Sequence, residues 1–407
     1  MSASEPGARP LDVFVIAGEA SGDVLGAGLM HALARQHGAV SFRGVGGGRM
    51  AGAGLASLYP MQDIMAIGIA PILGKLPTIL RRLRETVDAV VAAPPDVLIL
   101  IDVPDFNQRV ARRVRRRLPN LPIVTYVSPT VWAWRPGRAK AMRPSVDLIL
   151  ALLPFEPDVH RDLGGPPCVY VGHPLLAHVD ALRPSPEEAR ARATVPLVLA
   201  LPGSRRQEIR RLGTIFGEAL ARVAKQHPDL EIVLPTVPHL IDEVAGATLG
   251  WPVQPRIVTA EADKHAAFRR ARAALAASGT VTLELALAGV PHVAAYRIPL
   301  IEGLILRAIV HPHPVIKVRS VILANLVLGE HVVPEFLQTE CTAANLTYSL
   351  SVILGDSSER RRQELAFGRL DSVLGTGGGP PSDRAAQAVL ELLGQRSAGA
   401  KANSPAV

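Results

Sequence analysis

The chain alternates short apolar runs with longer segments in which apolar residues recur at helical spacing. Each run is strand-length and nearly continuous, which is typical of parallel strands that are buried on both faces. The runs are Val13–Ala17, Val97–Ile101, Ile123–Val127, Leu148–Leu152, Leu197–Leu201, Glu231–Leu234, Ala273–Ala277 and His292–Tyr296. Strands that alternate with helices predict an α/β fold with doubly wound parallel sheets.

A polar segment with prolines and a Glu/Arg run, residues 181–195, separates the first four runs from the last four. It predicts two Rossmann-like domains facing a cleft, residues 1–180 and 181–394. The end of the chain, residues 395–407, is rich in Ala, Ser, Lys and Asn, which predicts a disordered tail. Ligands of such folds bind at the carboxyl ends of the strands, so we expect the cleft to hold the chemistry.

Composition narrows the classes of function. The 407 residues carry a net charge of +8, which suits an anionic partner such as a phosphate, a nucleic acid or a membrane surface. Aromatic residues make up 4% of the chain, which argues against the stacking platforms that bind single-stranded nucleic acid. The two cysteines, Cys168 and Cys341, lack metal spacing and indicate a reducing compartment. No signal peptide or bilayer-spanning run is visible, so we expect a cytoplasmic protein.

Two strand-to-helix turns in the second half carry residues suited to a nucleotide diphosphate. They contain Gly203, Ser204 and Arg205 in the first turn, and Ser278, Gly279, Thr280 and Glu284 in the second. A helix N-terminus offers free N–H groups, glycine permits close approach of a phosphate, and arginine adds a planar cation. An acid one turn inside the helix suits ribose hydroxyls. Each turn alone is equally consistent with an ordinary strand-to-helix connection.

Two acids follow buried strands of the first half. Asp102 follows the run Val97–Ile101 and precedes Pro104, which places its carboxylate where strand-end acids of open α/β folds act. Glu19 lies in Gly18–Asp23, which resembles a glycine-rich phosphate loop without the G-x-G-x-x-G spacing. The alternative for these segments is helix capping, by Asp105 or Asn107 in one and by Ser21 in the other.

Three further patterns have both a functional and a structural interpretation. Trp132 and Trp134 lie in one loop and would either stack on sugars and acyl chains or pack in the core. His173 follows a strand and would either face the cleft or hold a turn. His311 and His313 flank a proline, but no carboxylate or cysteine lies at ligand spacing, so we expect no metal site.

The segment from Ile64 to Leu80 is apolar, is broken by Pro71 and Pro77, and precedes a basic cluster that includes Arg84. The prolines are expected to prevent one regular core helix, and the arginines would meet lipid phosphates. The expected acceptor and membrane patch is Ile64, Met65, Ile67, Ile69, Ile72, Leu73, Arg81 and Arg82. The alternative is that these apolar residues pack in the core. A second basic run, residues 112–117, is typical of a solvated helix face.

Together these motifs resemble the lipid-A-disaccharide synthase family of GT-B-fold glycosyltransferases. The resemblance extends from about Val13 to about Leu350. It rests on Ala17–Asp23, Ile101–Asn107, Tyr126–Pro129, Val131–Trp134, Leu152–Glu156, Gly172–His173, Leu201–Arg205 and Ala277–Thr280. One departure is local. The family usually has Ser-Leu-Pro-Asn-Leu where this chain has residues 322–326, so Ala324 replaces proline while Asn325 is retained.

The resemblance implies an inverting transfer of 2,3-diacylglucosamine from UDP to 2,3-diacylglucosamine 1-phosphate (lipid X), which forms a β-1,6 link without a cofactor or metal. It implies that Asp102 is the base and that the acceptor lipid binds the patch from Ile64 to Leu80. Glu19 is a second catalytic candidate on its position alone, since a strand-end carboxylate beside free N–H groups could accept a sugar hydroxyl's proton. UDP would bind the two turns, with Asn325 in the same donor site. It also implies the inner face of the inner membrane of a Gram-negative bacterium, and a homodimer with exchanged C-terminal segments.

Two alternatives stay open at this point. The first is a UDP-sugar epimerase on the same fold, which would share the UDP turns but would not use an apolar patch. The second is a basic nucleic-acid-binding module. The phosphate turns and the low aromatic content argue against that module, so we expect no nucleic-acid partner.

Overall fold

The computed structural model describes residues 9–65, 69–194, 196–297, 320–375 and 378–402. The chain divides into two compact units, each built on its own parallel sheet. The first unit comprises Met1–Leu176 and Gly378–Val407, and the second comprises Ala177–Gly377. The prediction of an α/β fold with two Rossmann-like domains is confirmed.

Seven parallel strands form the described sheet of the first unit, in the order β3-β2-β1-β4-β5-β6-β7. They are β1 Leu11–Ala17, β2 Val40–Val45, β3 Ala56–Ser57, β4 Val97–Ile101, β5 Ile123–Tyr126, β6 Leu148–Ala151 and β7 Cys168–Tyr170. Every residue of β4, β5 and β6 is buried. Continuous apolar runs are what a parallel sheet with two covered faces requires, so the four runs predicted in this half are strands.

Seven described helices accompany this sheet. They are α1 Ala20–His37, α2 Gly48–Gly52, α3 Ile69–Ala92, α4 Pro104–Arg117, α5 Gly137–Met142, α6 Glu156–Asp162 and the C-terminal helix α17 Pro381–Ala402. Short 3-10 turns lie at Met61–Asp63 and Pro174–His178.

Helix α3 corrects the expectation that prolines interrupt the apolar segment. The helix is continuous over 24 residues and contains Pro77. Pro71 falls in its first turn, where backbone N–H groups have no intrahelical partner, so it costs no hydrogen bond. Pro77 removes one bond of the helical ladder, and packing of the following turns on the core offsets that loss, since Ile79, Leu83, Val87 and Val90 are buried.

Helix α17 corrects the predicted domain limits. The prediction assigned residues 378–394 to the second domain and disorder to 395–407, but this helix packs on the first unit and continues to Ala402. Ala385, Ala386 and Val389 are buried in the first unit's core. Their small side chains form a narrow apolar face that an Ala-rich composition conceals. Residues 403–407 lie outside the described part, and the division between the units falls after Leu176 instead of at 180.

Six parallel strands form the described sheet of the second unit, in the order β10-β9-β8-β11-β12-β13. They are β8 Leu197–Leu201, β9 Glu231–Pro235, β10 Arg256–Val258, β11 Ala273–Ala277, β12 His292–Tyr296 and β13 Glu335–Leu337. The described helices are α7 Val179–Leu182, α8 Pro186–Thr194, α9 Arg206–Ala224, α10 Ile241–Thr248, α11 Glu261–Arg270, α12 Thr280–Leu287, α13 Leu323–Leu328, α14 Ala343–Leu354, α15 Ser358–Gly368 and α16 Leu370–Leu374. Short 3-10 turns lie at Pro238–Leu240 and Gln338–Glu340. The predicted linker is therefore largely helical.

Buried arginines tie the elements of the second unit together. The Arg192 guanidinium donates to the carbonyls of Phe268 and Ala288, and burial lowers its pKa to about 10. Arg360 donates to two further buried carbonyls, those of Arg272 and Ile353. Part of the chain's positive charge is therefore structural and is not presented to a partner.

Candidate active site

A cavity of about 380 Å³ lies at the carboxyl ends of β8, β9 and β11 in the second unit. Because β8 and β11 are adjacent strands, the turns that follow them meet at one edge of the sheet. The cavity is lined by all but one of the residues predicted to bind UDP: Gly203, Ser204, Arg205, Ser278, Gly279, Thr280 and Glu284. The two sequence-distant turns therefore form one site.

The first turn of the cavity is shaped by Gly203, whose φ of +125° lies in the region that glycine adopts readily. Arg205 follows as the N-cap residue of α9, in an extended conformation. The Glu208 carboxylate accepts a hydrogen bond from the Ser204 backbone N–H at 3.0 Å and one from the Arg205 guanidinium at 3.1 Å. An acid of the same helix therefore engages the donors that the sequence assigns to a diphosphate.

The second turn brings a buried acid and a lysine together. Glu284, on α12, is 8% exposed, and one of its carboxylate oxygens lies 2.5 Å from the Lys264 ammonium. Lys264 lies on α11 and stands 5.4 Å from the centre of the Phe268 ring. The sequence interpretation missed Lys264, since no motif marks it. It also missed Thr236, which lines the cavity just after β9 and which the strand-end rule would have found.

Asn325 is placed outside the lining of this cavity. Its side chain is buried, accepts from the N–H groups of Val332 and Val333, and donates to the Val333 carbonyl and to Glu335. Glu335 in turn accepts from the Val321 N–H at 2.9 Å, and the Val321 carbonyl accepts from the Ser278 hydroxyl at 3.1 Å. Asn325 therefore connects to the cavity through the 320–322 segment. Ala324, where the family has proline, is buried in the first turn of α13.

In the first unit, Asp102 lies in an unusual backbone conformation at the end of β4. Its φ is +56° and that of Val103 is +38°, both in the left-handed region that non-glycine residues rarely adopt. A Cβ on Gly18 would lie 2.4 Å from a methyl group of Val103, so the glycine allows the two turns to touch. The Ser21 hydroxyl reaches the Asp102 carboxylate at 3.3 Å. The structure thus joins the two strand-end motifs of this half.

The side chain of Asn107 holds that turn. Its amide donates to the carbonyls of Ile101 at 3.1 Å and Asp102 at 2.6 Å. Asp105 instead points to Arg138, 2.5 Å away, and is largely exposed. Neither residue caps α4, whose N-cap is Val103 without a side-chain bond. The capping interpretation is therefore wrong for both, and Ser21 likewise caps nothing, since it bonds Asp102.

Glu19 is the N-cap residue of α1 and is half-buried, in an extended backbone conformation. Its carbonyl accepts a hydrogen bond from the Asp23 N–H at 2.9 Å. The Asp23 carboxylate is buried and accepts from the N–H groups of Gly47, Arg49 and Met50, at the N-terminus of α2. Asp23 is therefore a structural cap, whereas Glu19 stays near the surface beside the Asp102 turn.

The aromatic loop after β5 covers a buried polar cluster. The Trp132 indole N–H donates to Glu156 at 3.3 Å, and its ring meets Phe155 edge-on at 5.6 Å. Glu156 also accepts from the N–H groups of Leu152 and Leu153, and burial raises its pKa to about 7. The sequence interpretation did not single out this acid. Trp134 is half-buried under the Arg135 guanidinium, so neither tryptophan is a fully buried core residue.

Two buried histidines near these strand ends have structural contacts. His160 bonds the Ser128 hydroxyl at 2.9 Å, and His173 accepts from the Leu175 N–H at 3.2 Å. Burial lowers the pKa of each to about 4, so both are neutral at pH 7. His173 therefore holds the turn that leaves β7.

The residues of the predicted apolar and basic patch lie in different environments. Ile64 is buried in the core, Met65 is half-buried, and Arg82 is engaged by Asp63 and Glu85. Arg81 is exposed. Ile67 lies outside the described residues, as do the side chains of Ile69, Ile72 and Leu73 on α3.

Further along α3, Leu76, Leu80 and Arg84 follow one another at intervals of four residues, on one side of the helix. Both leucines are 38% exposed. Arg84 also lines a groove of about 430 Å³ together with Arg113, Arg116 and Arg117 of α4. The two basic runs, which are distant in sequence, therefore form one surface. Within the described residues, no helix combines the length and apolar character that crossing a bilayer requires.

His311 and His313 lie outside the described residues. Among the residues that the structure does describe, no three His, Cys, Asp or Glu side chains cluster in a way that could hold a metal ion.

Comparison with known proteins places this arrangement in a family. A model of the family described as Lipid-A-disaccharide synthetase matches residues 13–373. The lipid-A-disaccharide synthase of Nitrobacter hamburgensis is 56% identical over 383 residues, which cover 94% of this chain and 95% of that protein.

Solved structures share the fold at low identity. UDP-GlcNAc 2-epimerase from Neisseria meningitidis bound to UDP-GlcNAc has a TM-score of 0.62 at 10% identity, and the match covers 93% of this chain and all of that one. The calicheamicin glycosyltransferase CalG4 has a TM-score of 0.59 at 17% identity, with 95% and 99% covered. Epimerases and glycosyltransferases therefore share this architecture, and the sequence relatives decide between them. The chain belongs to the lipid-A-disaccharide synthase family of UDP-sugar glycosyltransferases, which condense UDP-diacylglucosamine with lipid X in lipid A biosynthesis.

Proposed function

We propose that this chain binds UDP-2,3-diacylglucosamine in the cavity of the second unit and transfers its sugar to lipid X with inversion, using Asp102 as the base. The observation that carries the proposal is the meeting of the two turns with Lys264 and Glu284 around one cavity of about 380 Å³. The turns offer N–H groups, hydroxyls and a cation to a diphosphate, and Glu284 offers a carboxylate to the ribose hydroxyls.

The leaving group is UDP, so the site must stabilise negative charge as the sugar–phosphate bond breaks. In our proposal the backbone at Ser204, the Arg205 guanidinium and the turn Ser278–Thr280 supply that stabilisation in place of a divalent cation. Asn325 would act on the donor site through the 320–322 segment, which bonds Ser278, because Asn325 itself lies outside the cavity lining. Unchanged turnover in the presence of a chelator is the expected result, and loss of turnover that Mg²⁺ restores would contradict it.

Asp102 would take the proton from the acceptor 6-hydroxyl. The electron pair left on that hydroxyl oxygen forms the bond to the anomeric carbon. The bond between the sugar and UDP breaks, and its electrons go to the β-phosphate oxygen. One base suffices for such a displacement. The neutral contacts of Asp102, the Ser21 hydroxyl and the Val103 N–H, support this role. Glu19, at the N-cap of α1, would hold a second hydroxyl of the acceptor sugar.

Both lipid substrates would reside in a bilayer, so we propose that the enzyme works at an anionic membrane surface, on the inner face of the inner membrane. Exposed Leu76 and Leu80 on α3, with Arg84 and the basic groove beside them, support this contact. Leu76→Ser with Leu80→Ser should reduce binding to phosphatidylglycerol vesicles several-fold while the Tm changes little, because neither side chain is in the core. A large fall in Tm with unchanged vesicle binding would place the contact elsewhere.

A homodimer with exchanged C-terminal segments is also proposed. In the single chain, α17 packs on the first unit through small apolar side chains and the Arg396–Asp147 ion pair. The α17 helix of a second copy could make the same contacts, because they join only this helix and the surface of the first unit that it covers. Light scattering of the full chain, and of a variant truncated before α17, would show whether a dimer forms and depends on this helix.

Mass spectrometry tests the reaction directly. Incubation with UDP-2,3-diacylglucosamine and lipid X should yield a disaccharide 1-phosphate and UDP. Turnover of the UDP-sugar alone, without acceptor, would instead indicate an epimerase.

A further inference from the structure

The donor cavity contains an acid to which the reaction assigns no role. Glu208 lies three residues into α9, its side chain is 16% exposed, and its carboxylate faces the turn that precedes the helix. One oxygen accepts from the Ser204 N–H and the other from Arg205. A Cβ on Gly203 would lie 2.4 Å from this carboxylate, so the acid fills the space against the glycine.

We propose that Glu208 is a placeholder for the diphosphate. Its carboxylate occupies the donors of the phosphate turn when no nucleotide is bound, and it must leave them when UDP enters. The proposal rests on the proposed function, since it takes the cavity to be the UDP site. Its class of ligand is a nucleoside diphosphate, whose anionic oxygens need the same N–H group and guanidinium that Glu208 holds.

The physical argument has two parts. The helix N-terminus carries unpaired N–H groups and a partial positive charge, which an acid in the first turn stabilises when no ligand is present. The same acid opposes a ligand, because two anions compete for one guanidinium and one backbone donor. Glu208 therefore keeps the turn in its binding conformation between reaction cycles and weakens the hold on UDP, which favours release of the product.

Glu208→Gln tests the competition. The amide oxygen of glutamine can still accept from the Ser204 N–H, so the turn keeps its shape, but the charge that holds Arg205 is gone. We expect the Kd for UDP to fall by roughly two- to fivefold, the range that partly exposed ion pairs usually span. Uridine carries no phosphate, so its Kd should not change. Titration calorimetry of the full chain with each compound measures both.

Glu243→Gln is the matched control. Glu243, on α10, pairs with Arg210 of α9 at 2.5 Å and contacts none of the cavity's donors. Its removal changes the net charge equally and should leave the Kd for UDP unchanged.

Three results would overturn the placeholder role. The first is weaker UDP binding by Glu208→Gln. The second is an equal change of Kd for uridine and UDP in that variant. The third is a fall in the Kd for UDP in Glu243→Gln as large as that in Glu208→Gln. The first would make Glu208 a residue that positions the turn for the ligand. Failure of the wild-type chain to bind UDP at all would instead contradict the proposed function, so the two failures are distinguishable.

Discussion

Four acids near the strand ends, two in each unit, differ in their partners. In the second unit, Glu208 and Glu284 each lie against a cation, Arg205 and Lys264. In the first unit, Asp102 and Glu156 accept hydrogen bonds only from neutral groups among the described residues. Both sets stand at the carboxyl ends of parallel strands, so topology alone does not explain the difference.

The difference matches two kinds of chemistry. A site for a diphosphate needs cations, and acids hold those cations in place until the ligand arrives. A site for proton transfer needs a carboxylate that no cation neutralises. The backbone follows the same division. Glycine shapes the phosphate turn at Gly203, whereas Asp102 itself adopts a positive φ and is held there by Asn107. The strained backbone thus lies at the residue that we propose as the base.

The largest effect should come from Asp102. Asp102→Asn keeps the volume and the contacts with Ser21 and Val103, but an amide cannot take a proton. We expect kcat to fall by roughly two to four orders of magnitude, the usual span for a general base. The Kd for UDP should stay unchanged, because the cavity lies in the other unit.

Asp105→Asn provides the control for that substitution. Asp105 lies three residues away, is exposed, and pairs with Arg138. Its kcat should stay within a few-fold of wild type. Equal losses in both variants, or retained turnover in Asp102→Asn, would remove the contrast between cation-free and cation-paired acids.

The pH dependence of the stability provides a test of the environment of Glu156. Burial raises its pKa from 4.5 to about 7. Between these two pH values, Glu156 is therefore protonated in the folded protein and ionised in the unfolded chain. The contribution of Glu156 to stability is therefore complete below pH 4.5 and is lost as pH rises towards 7. Glu156→Gln lacks this titration. Its free energy of unfolding relative to wild type should increase by on the order of 3 kcal/mol across that window.

Urea unfolding of both proteins between pH 4.5 and 8 measures this difference. His160 and His173 have lowered pKa values and contribute in the opposite direction, with stability gained as pH rises from about 4 towards 6.5. Both histidines are present in both proteins and their contribution ends near pH 6.5, so the change in the difference above that pH reports Glu156. A difference that is flat with pH would mean that burial does not raise the pKa of Glu156 in the folded state.

Arg205 tests the cation side of the comparison. Arg205→Ala removes a charge-assisted contact to the diphosphate, and because the side chain is 63% exposed we expect the lower part of the usual range, roughly 1.5 kcal/mol or about tenfold in Kd for UDP. Inorganic pyrophosphate should compete correspondingly less well. Arg206→Ala, at the next position along the helix, is the control. Equal weakening by Arg206→Ala would reduce the effect to general electrostatics.

The sequence predicted the strand-end residues because parallel strands finish at one edge of a sheet whatever their distance along the chain. Gly203, Ser278 and Asp102 follow from that rule. Lys264 could not be predicted, since α11 approaches the cavity only through tertiary packing. The continuity of α3 and the position of α17 were missed for related reasons. Pro71 lies in the first turn of α3 and costs no hydrogen bond, and core packing of the following turns offsets the bond lost at Pro77. An alanine-rich helix such as α17 gains its stability from the surface it covers.

The smallest effect is expected at Glu284. Glu284→Gln keeps a hydrogen-bonding group for the ribose and releases Lys264, whose side chain is 33% exposed. UDP should bind roughly fivefold more weakly, or about 1 kcal/mol, which is the net contribution of a typical hydrogen bond. Uridine should weaken by the same factor, because it carries the same ribose. Pyrophosphate should compete as well as before or slightly better, since one negative charge has left the cavity. This is the reverse of the result expected for Arg205→Ala, so the two variants together assign ribose and diphosphate to opposite sides of the cavity. Pyrophosphate competition that weakens equally in both variants would show that Glu284 holds the site together through Lys264 and does not meet the ribose.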